Sequence, residues 1–165
     1  MAKGATNTWN WPALARWSVL AALIFGLDQY TKYWIQHRMI YGDVEPVTGF
    51  FNLVVAYNTG AAFSFLADAG GWQRIFFSAF AFLAVFIISL MIARRSSQKF
   101  LCFGLTLVLA GALGNVYDRI FLGHVVDFLD FHWAGYHWPA FNVADIAICV
   151  GAAIIVLIEF LSPKK

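Results

Sequence analysis

The sequence predicts an all-α integral membrane protein with four transmembrane helices and a small extracytoplasmic β-hairpin. Three observations lead there. Of 165 residues, 61% are hydrophobic and only 12% charged, about half the charged share of a soluble domain. Mean hydropathy is +0.70. Four segments are long and apolar enough to cross a bilayer, and the basic residues gather on one side of them. Such a composition excludes disorder, collagen and a soluble coiled coil. Eleven basic against nine acidic residues leave only +2, so no nucleic-acid partner is expected. Seventeen Phe and seven Trp suit a bilayer boundary, where aromatic rings settle.

The first span runs from about 13 to 34 and carries Asp28 and Lys32 near its far end. No small-residue cleavage site follows its apolar centre, so it reads as a permanent anchor rather than a secretory signal. The second, about 75–93, and the third, about 100–116, are uncharged; the fourth, about 142–161, opens on Asp145 and ends near Glu159. Lys3, Arg16, Arg94, Arg95, Lys99, Lys164 and Lys165 lie at the termini and in the connection between spans two and three. By the positive-inside bias both termini are cytoplasmic, and the connections of about 35–74 and 117–141 face outward. The chain reads as one integral membrane domain over 1–165, without repeats. Cys102 and Cys149 sit in apolar runs at opposite depths and read as free thiols packed as small hydrophobes.

The outer connections carry structure. Phe51, Leu53, Val55 and Tyr57 alternate along one face of an extended strand. Asn58-Thr59-Gly60 reads as a turn, and 61–66 as the returning strand of a hairpin.

Polar residues at membrane depth are costly and therefore informative, a carboxylate costing about 2.5–3.5 kcal/mol at a helix centre. Here they collect at the outer ends of the spans. Asp28 and Lys32, four apart, are spaced to pair and steady span one. Asn115, Asp118 and Arg119 lie just past span three if Gly114 stops that helix. Asp118-Arg119 then reads as a surface ion pair, or Arg119 as a partner for a carboxylate or a lipid headgroup. Asn142 and Asp145 have the spacing of a helix N-cap and its N3 acid. Asp127 lies in the apolar stretch Gly123–Leu129, which would carry it against the membrane. Two carboxylates brought together at a partly dry surface share a proton and can activate water. Asp127 with Asp145 is one such pair; Asp118 or Asp130 could replace one partner. His124, His132 and His137 could instead hold a metal with Asp127 or Asp130. The Ala110, Gly111, Ala112 and Gly114 face is a helix-packing device. A non-enzymatic small transporter or assembly factor, with acids lining a polar path, remains the alternative class.

Five blocks then fall in register with a known family. Asp28-Gln29-Tyr30-Thr31-Lys32, Asn58-Thr59-Gly60-Ala61-Ala62-Phe63, Gly111–Arg119, Val125-Val126-Asp127-Phe128 and Phe141-Asn142-Val143-Ala144-Asp145 resemble the blocks of bacterial lipoprotein signal peptidase (signal peptidase II). Ala110 departs from the pattern, the family often having a second Gly there. The resemblance implies an aspartyl endopeptidase of the bacterial inner membrane. It would cut prolipoproteins just before a diacylglyceryl-modified cysteine, with no metal or cofactor. It implies Asp127 and Asp145 as the dyad, surrounded by Asn58, Gly60, Asn115, Arg119 and Asn142, with Asp28 and Lys32 in support. It further implies an outer β-cradle, a short mobile helix over a periplasmic-face site, contact with membrane lipid, and inhibition by cyclic peptides of the globomycin type.

Overall fold

The structure, a computed structural model, describes residues 9–60 and 72–161. Helix α1 (Trp11–Arg38) starts where the Asn10 side chain accepts the Ala13 amide hydrogen at 2.9 Å and Pro12 occupies the first turn. After it come β1 (Val44–Thr48) and β2 (Phe51–Asn58). Next are α2 (Trp72–Arg94), α3 (Lys99–Phe121), β3 (Val125–Trp133), β4 (Tyr136–His137) and α4 (Val143–Leu161). All four expected helical segments are helices. Among the described residues α2, α3 and α4 are long and apolar enough to cross a membrane. Helix α1 is longer but is interrupted by Arg16, Asp28, Lys32 and Arg38.

Helix α3 is central and packs on the other three. Ala21 of α1, Ile88 and Ile92 of α2, and Leu101, Leu105 and Leu109 of α3 form one buried cluster. Against α4 the fit is between backbones. A Cβ on Gly151 would stand 2.5 Å from the Gly104 carbonyl oxygen, and one on Gly104 would stand 3.0 Å from that of Gly151. Absent side chains let the helices touch, as small residues do in membrane bundles. Outward faces remain apolar: Ile75, Phe86 and Phe160 are all exposed.

The β-strands form an antiparallel layer in the order β1-β2-β3-β4. A second core of Ile35, Met39, Val55, Val126 and Phe128 fastens it to the end of α1. Beside Asp127, the β2–β3 register shifts between Leu53 and Ala56, so two residues of β2 oppose one of β3.

Several expectations are corrected here. Gly114 does not stop α3, which continues to Phe121 and carries Asp118 and Arg119 on its last turns. Asp118 is only 1% exposed, so it is no surface ion pair. The bulge breaks the simple alternation of β2: Asn52 and Val55 are its buried residues. Its partners are β1 and β3, both from parts of the chain read as connections. The return strand expected over 61–66 lies outside the described residues, and a short helix over the site is not among the described elements. Both cysteines are free, but only Cys102 is buried; Cys149 is exposed on α4.

Candidate active site

Asp145 is held by helix-cap chemistry. The Asn142 Oδ1 accepts the Asp145 amide hydrogen at 2.9 Å, and Asp145 Oδ2 accepts that of Asn142 at 3.2 Å. This is a reciprocal capping box, so the cap predicted from the sequence is present. It does not exhaust either residue. The Asn142 Nδ2 also donates to Asp127 Oδ1 at 2.7 Å. One asparagine thus touches both carboxylates, one from β3 and one from α4.

Two further amides complete the ring. Asn58 Nδ2, at the end of β2, donates to Asp127 Oδ2 at 3.2 Å. Asn115 Nδ2, on α3, donates to Asp145 Oδ1 at 2.8 Å. Gly60 fixes Asn58 by donating its N–H to Asn58 Oδ1 at 3.0 Å, and its carbonyl accepts from Arg119 Nη2 at 2.6 Å. The Arg119 guanidinium lies 5.6 Å from the Phe77 ring centroid and faces the charges of Asp145 and Asp127.

Asp127 is 4% exposed. Burial and then the neighbouring Asp145 charge push its carboxyl up to about 7, against the opposing Asn58 and Asn142 hydrogen bonds. At neutral pH it therefore exchanges a proton readily, as an acid–base catalyst must.

Beneath this ring lies a second cluster. Lys32 Nζ sits 2.9 Å from Asp28 Oδ2, 2.8 Å from Asp118 Oδ2 and 3.2 Å from Asn115 Oδ1. The expected Asp28–Lys32 pair is present, but Asp118 is a third member. Asp28 Oδ1 accepts the Ala144 amide hydrogen at 2.8 Å, capping α4 from another helix. Gln29, quoted in the first block but given no role there, bridges Asp28 Oδ2 at 3.1 Å and Asp118 Oδ1 at 2.9 Å. The signal that could have found it was an amide side chain at lipid depth.

The other acids and histidines go elsewhere. Asp130 projects to the opposite side of β3 from Asp127, where it meets Asn52 Nδ2 at 2.8 Å and His137 Nδ1 at 2.9 Å. Burial works upward on Asp130, but these hydrogen bonds outweigh it and hold the carboxyl below its ordinary value. Asp118 is taken by Lys32, so neither acid stands beside Asp145 in place of Asp127. His132 stacks on His137, whereas His124 lies tilted against the Tyr57 ring at 3.9 Å between centroids. Among the described residues, no three His, Cys, Asp or Glu side chains are placed to hold a metal.

Two carboxylates that feel each other's charge, one on a strand and one on the first turn of an apolar helix, suit a membrane aspartic peptidase, and likeness to known proteins gives the chain that class. The family model described as signal peptidase (SPase) II matches residues 20–161. The chain belongs to that family. It is 57% identical over 143 residues to a lipoprotein signal peptidase of Ralstonia nicotianae, covering 87% of this chain and 83% of the relative. It is 48% identical over 150 residues to that of Cellvibrio japonicus, covering 90% and 88%. A bacterial membrane enzyme solved by the in meso method at 2.3 Å superposes with a TM-score of 0.79 at 28% identity, over 95% of this chain and 96% of that one. These likenesses set aside the transporter or assembly-factor alternative.

Proposed function

We propose that Asp127 and Asp145 are the catalytic dyad with which this chain cleaves the signal peptide from diacylglyceryl-modified prolipoproteins, just before the lipidated cysteine. The single observation that carries the assignment is Asn142, which holds both carboxylates at once. With one proton on the pair, the ionised carboxylate takes a proton from water as its oxygen attacks the scissile carbonyl carbon. The other carboxyl gives its proton to the carbonyl oxygen. The resulting gem-diol returns one hydroxyl proton to the carboxylate now ionised and breaks its C–N bond as the other carboxyl gives its proton to the leaving nitrogen, which restores the singly protonated pair. Asn58, Gly60, Asn115, Arg119 and Asn142 orient the pair, with Asp28 and Lys32 behind them.

The chain reads as one integral membrane domain over 1–165, with α1 as the fourth span. At 1.5 Å per residue, its 28 residues reach about 42 Å. Val19, Leu23 and Leu27 form an exposed apolar stripe, while Asp28 and Lys32 are turned inward and paired. The charge asymmetry puts both termini in the cytoplasm and the dyad at the periplasmic face of the inner membrane. There water reaches it, and a lipid in the outer leaflet holds the scissile bond in place. Cyclic peptides of the globomycin type would occupy the same site.

The test is cleavage of a lipidated precursor peptide by the purified full chain. Asp127→Asn and Asp145→Asn should each nearly abolish cleavage while the protein still inserts and binds inhibitor. The double variant should be little worse than either single one. The same precursor without its diacylglyceryl group should be cut poorly. Cleavage by Asp145→Asn at the wild-type rate would reduce Asp145 to a helix cap.

A further inference from the structure

Asn115 stands between the Lys32 cluster and Asp145. Its amide oxygen only accepts and its NH2 only donates, so which end faces which neighbour matters. The Lys32 ammonium has three N–H groups and no acceptor. Its contacts with Asp28, Asp118 and Asn115 Oδ1 use all three, and Asn142 Nδ2, at 3.3 Å, is a second and uncharged donor to that oxygen. Turned around, Asn115 would aim its NH2 at the ammonium and its oxygen at the Asp145 carboxylate. Both contacts would be repulsive, at a residue only 8% exposed. With the oxygen on Lys32, the NH2 must face Asp145.

We propose that Lys32 is a positioning residue for cleavage: acting through Asn115, it locks that amide in the one orientation that donates to Asp145. The proposal rests on the reading of Asp145 as half of the dyad. Asn142 is locked in a parallel way. Its oxygen is committed to the Asp145 backbone N–H, so its NH2 must serve Asp127. Each carboxylate thus faces a donor that cannot turn away, and a fixed donor favours the ionised form that accepts a proton from water. The charged groups facing the pair among the described residues are Lys32 from α1 and Arg119 from α3, with Asp28 and Asp118 against Lys32.

The test is a double-mutant cycle on purified full-length protein, with kcat and KM measured on a diacylglyceryl precursor peptide across pH. Its corners are wild type, Asn115→Leu, Lys32→Met with Asp118→Asn, and all three changes together. Removing one charge of each sign leaves the buried cluster at its original net charge. The Lys32/Asp118 variant should lose about 30-fold in kcat with KM within about threefold, and the triple variant should be no worse than Asn115→Leu. The acidic limb of its pH–rate profile should move to higher pH, because the ionised state of the pair has lost an obligatory donor. Lys32→Met with Asp28→Asn is a second charge-balanced pair, in which the amide oxygen introduced at position 28 can still cap α4. Asn115→Asp keeps the acceptor for Lys32 and removes the donor, so it must fall with Asn115→Leu.

Losses that multiply in the triple variant, an unshifted profile, or wild-type cleavage by Asn115→Asp would each overturn the proposal. The dyad reading fails separately, and only if Asp127→Asn or Asp145→Asn still cleaves.

Discussion

Asp127→Asn should inactivate the enzyme and at the same time stabilise it. A carboxyl raised from 3.8 to about 7 by burial and a like charge is a group that folding disfavours once it ionises. The unfolded chain releases this proton near 3.8 and the folded chain holds it to about 7. Between those values the folded state binds more protons, so the stability of the wild type falls as pH rises, and the loss is complete above about 7. The difference corresponds to roughly 4 kcal/mol. Asparagine carries no charge but sets its NH2 or its oxygen wrongly against one neighbour, most simply Asn58, at a cost of about 1 kcal/mol. The net gain is about 3 kcal/mol at pH 8, and below pH 4 it turns into a net loss of about 1 kcal/mol. Thermal unfolding in detergent from pH 4 to 9, wild type beside variant, measures this directly. The gap between the two midpoints should open through pH 4–7 and then level. A variant less stable than wild type at pH 8, or a gap independent of pH, would refute the reasoning.

Four other outcomes are expected. In a background lacking Cys102 and Cys149, an impermeant thiol reagent added outside should label a cysteine at Asp43 and miss one at Ser97; labelling of position 97 alone would reverse the orientation. Chelators should leave cleavage intact, since a carboxylate pair needs no ion; loss in EDTA with recovery on zinc would return attention to His124, His132 and His137. Gly151→Ala should lower the unfolding midpoint by the equivalent of about 1–3 kcal/mol, because its Cβ would stand 2.5 Å from the Gly104 carbonyl oxygen. Gly26→Ala on α1 meets nothing within 4 Å and should raise it by about 0.5–1 kcal/mol.

The helices were legible because apolar length is a local property of the chain. So were the Asp28–Lys32 pair and the Asn142 cap, each set by a spacing of three or four residues. What escaped was set by distant contacts. Gly114 reads as a helix stop in isolation; in the fold it is glycine because the Asp28 carboxylate occupies the place of its Cβ. Once that is known, α3 has no reason to end there, and Asp118 and Arg119 become buried helical residues. In isolation the β3 stretch reads as membrane-facing, because its partner β2 lies far away in sequence. Hairpin reasoning likewise favours a neighbouring partner for β2. The register shift opposite Asp127 has no sequence signal of the Gly or Pro kind. Residue chemistry offers Asp127 with Asp145 as only one pair among several, and the motif resemblance singles it out, since no local rule joins a strand to the first turn of a helix.

The Asp28 carboxylate lies against Gly114 of α3 and caps Ala144 of α4. Three helices therefore meet at one side chain, directly below Asn115 and Asp145. None of them can tilt or slide without breaking a buried ionic contact. The wall that carries Asp145 is in this sense a fixed datum, and water placed against it needs no rearrangement of protein dipoles before the chemistry. Asp127 stands on the opposite wall, and its strand is tied to the same cluster: the Val126 N–H donates to Asp118 Oδ2 at 3.2 Å, and Asn142 Nδ2 donates to the Val126 carbonyl at 3.3 Å. Both walls thus stand on one buried ionic cluster, and the fold itself sets the distance between the two carboxylates.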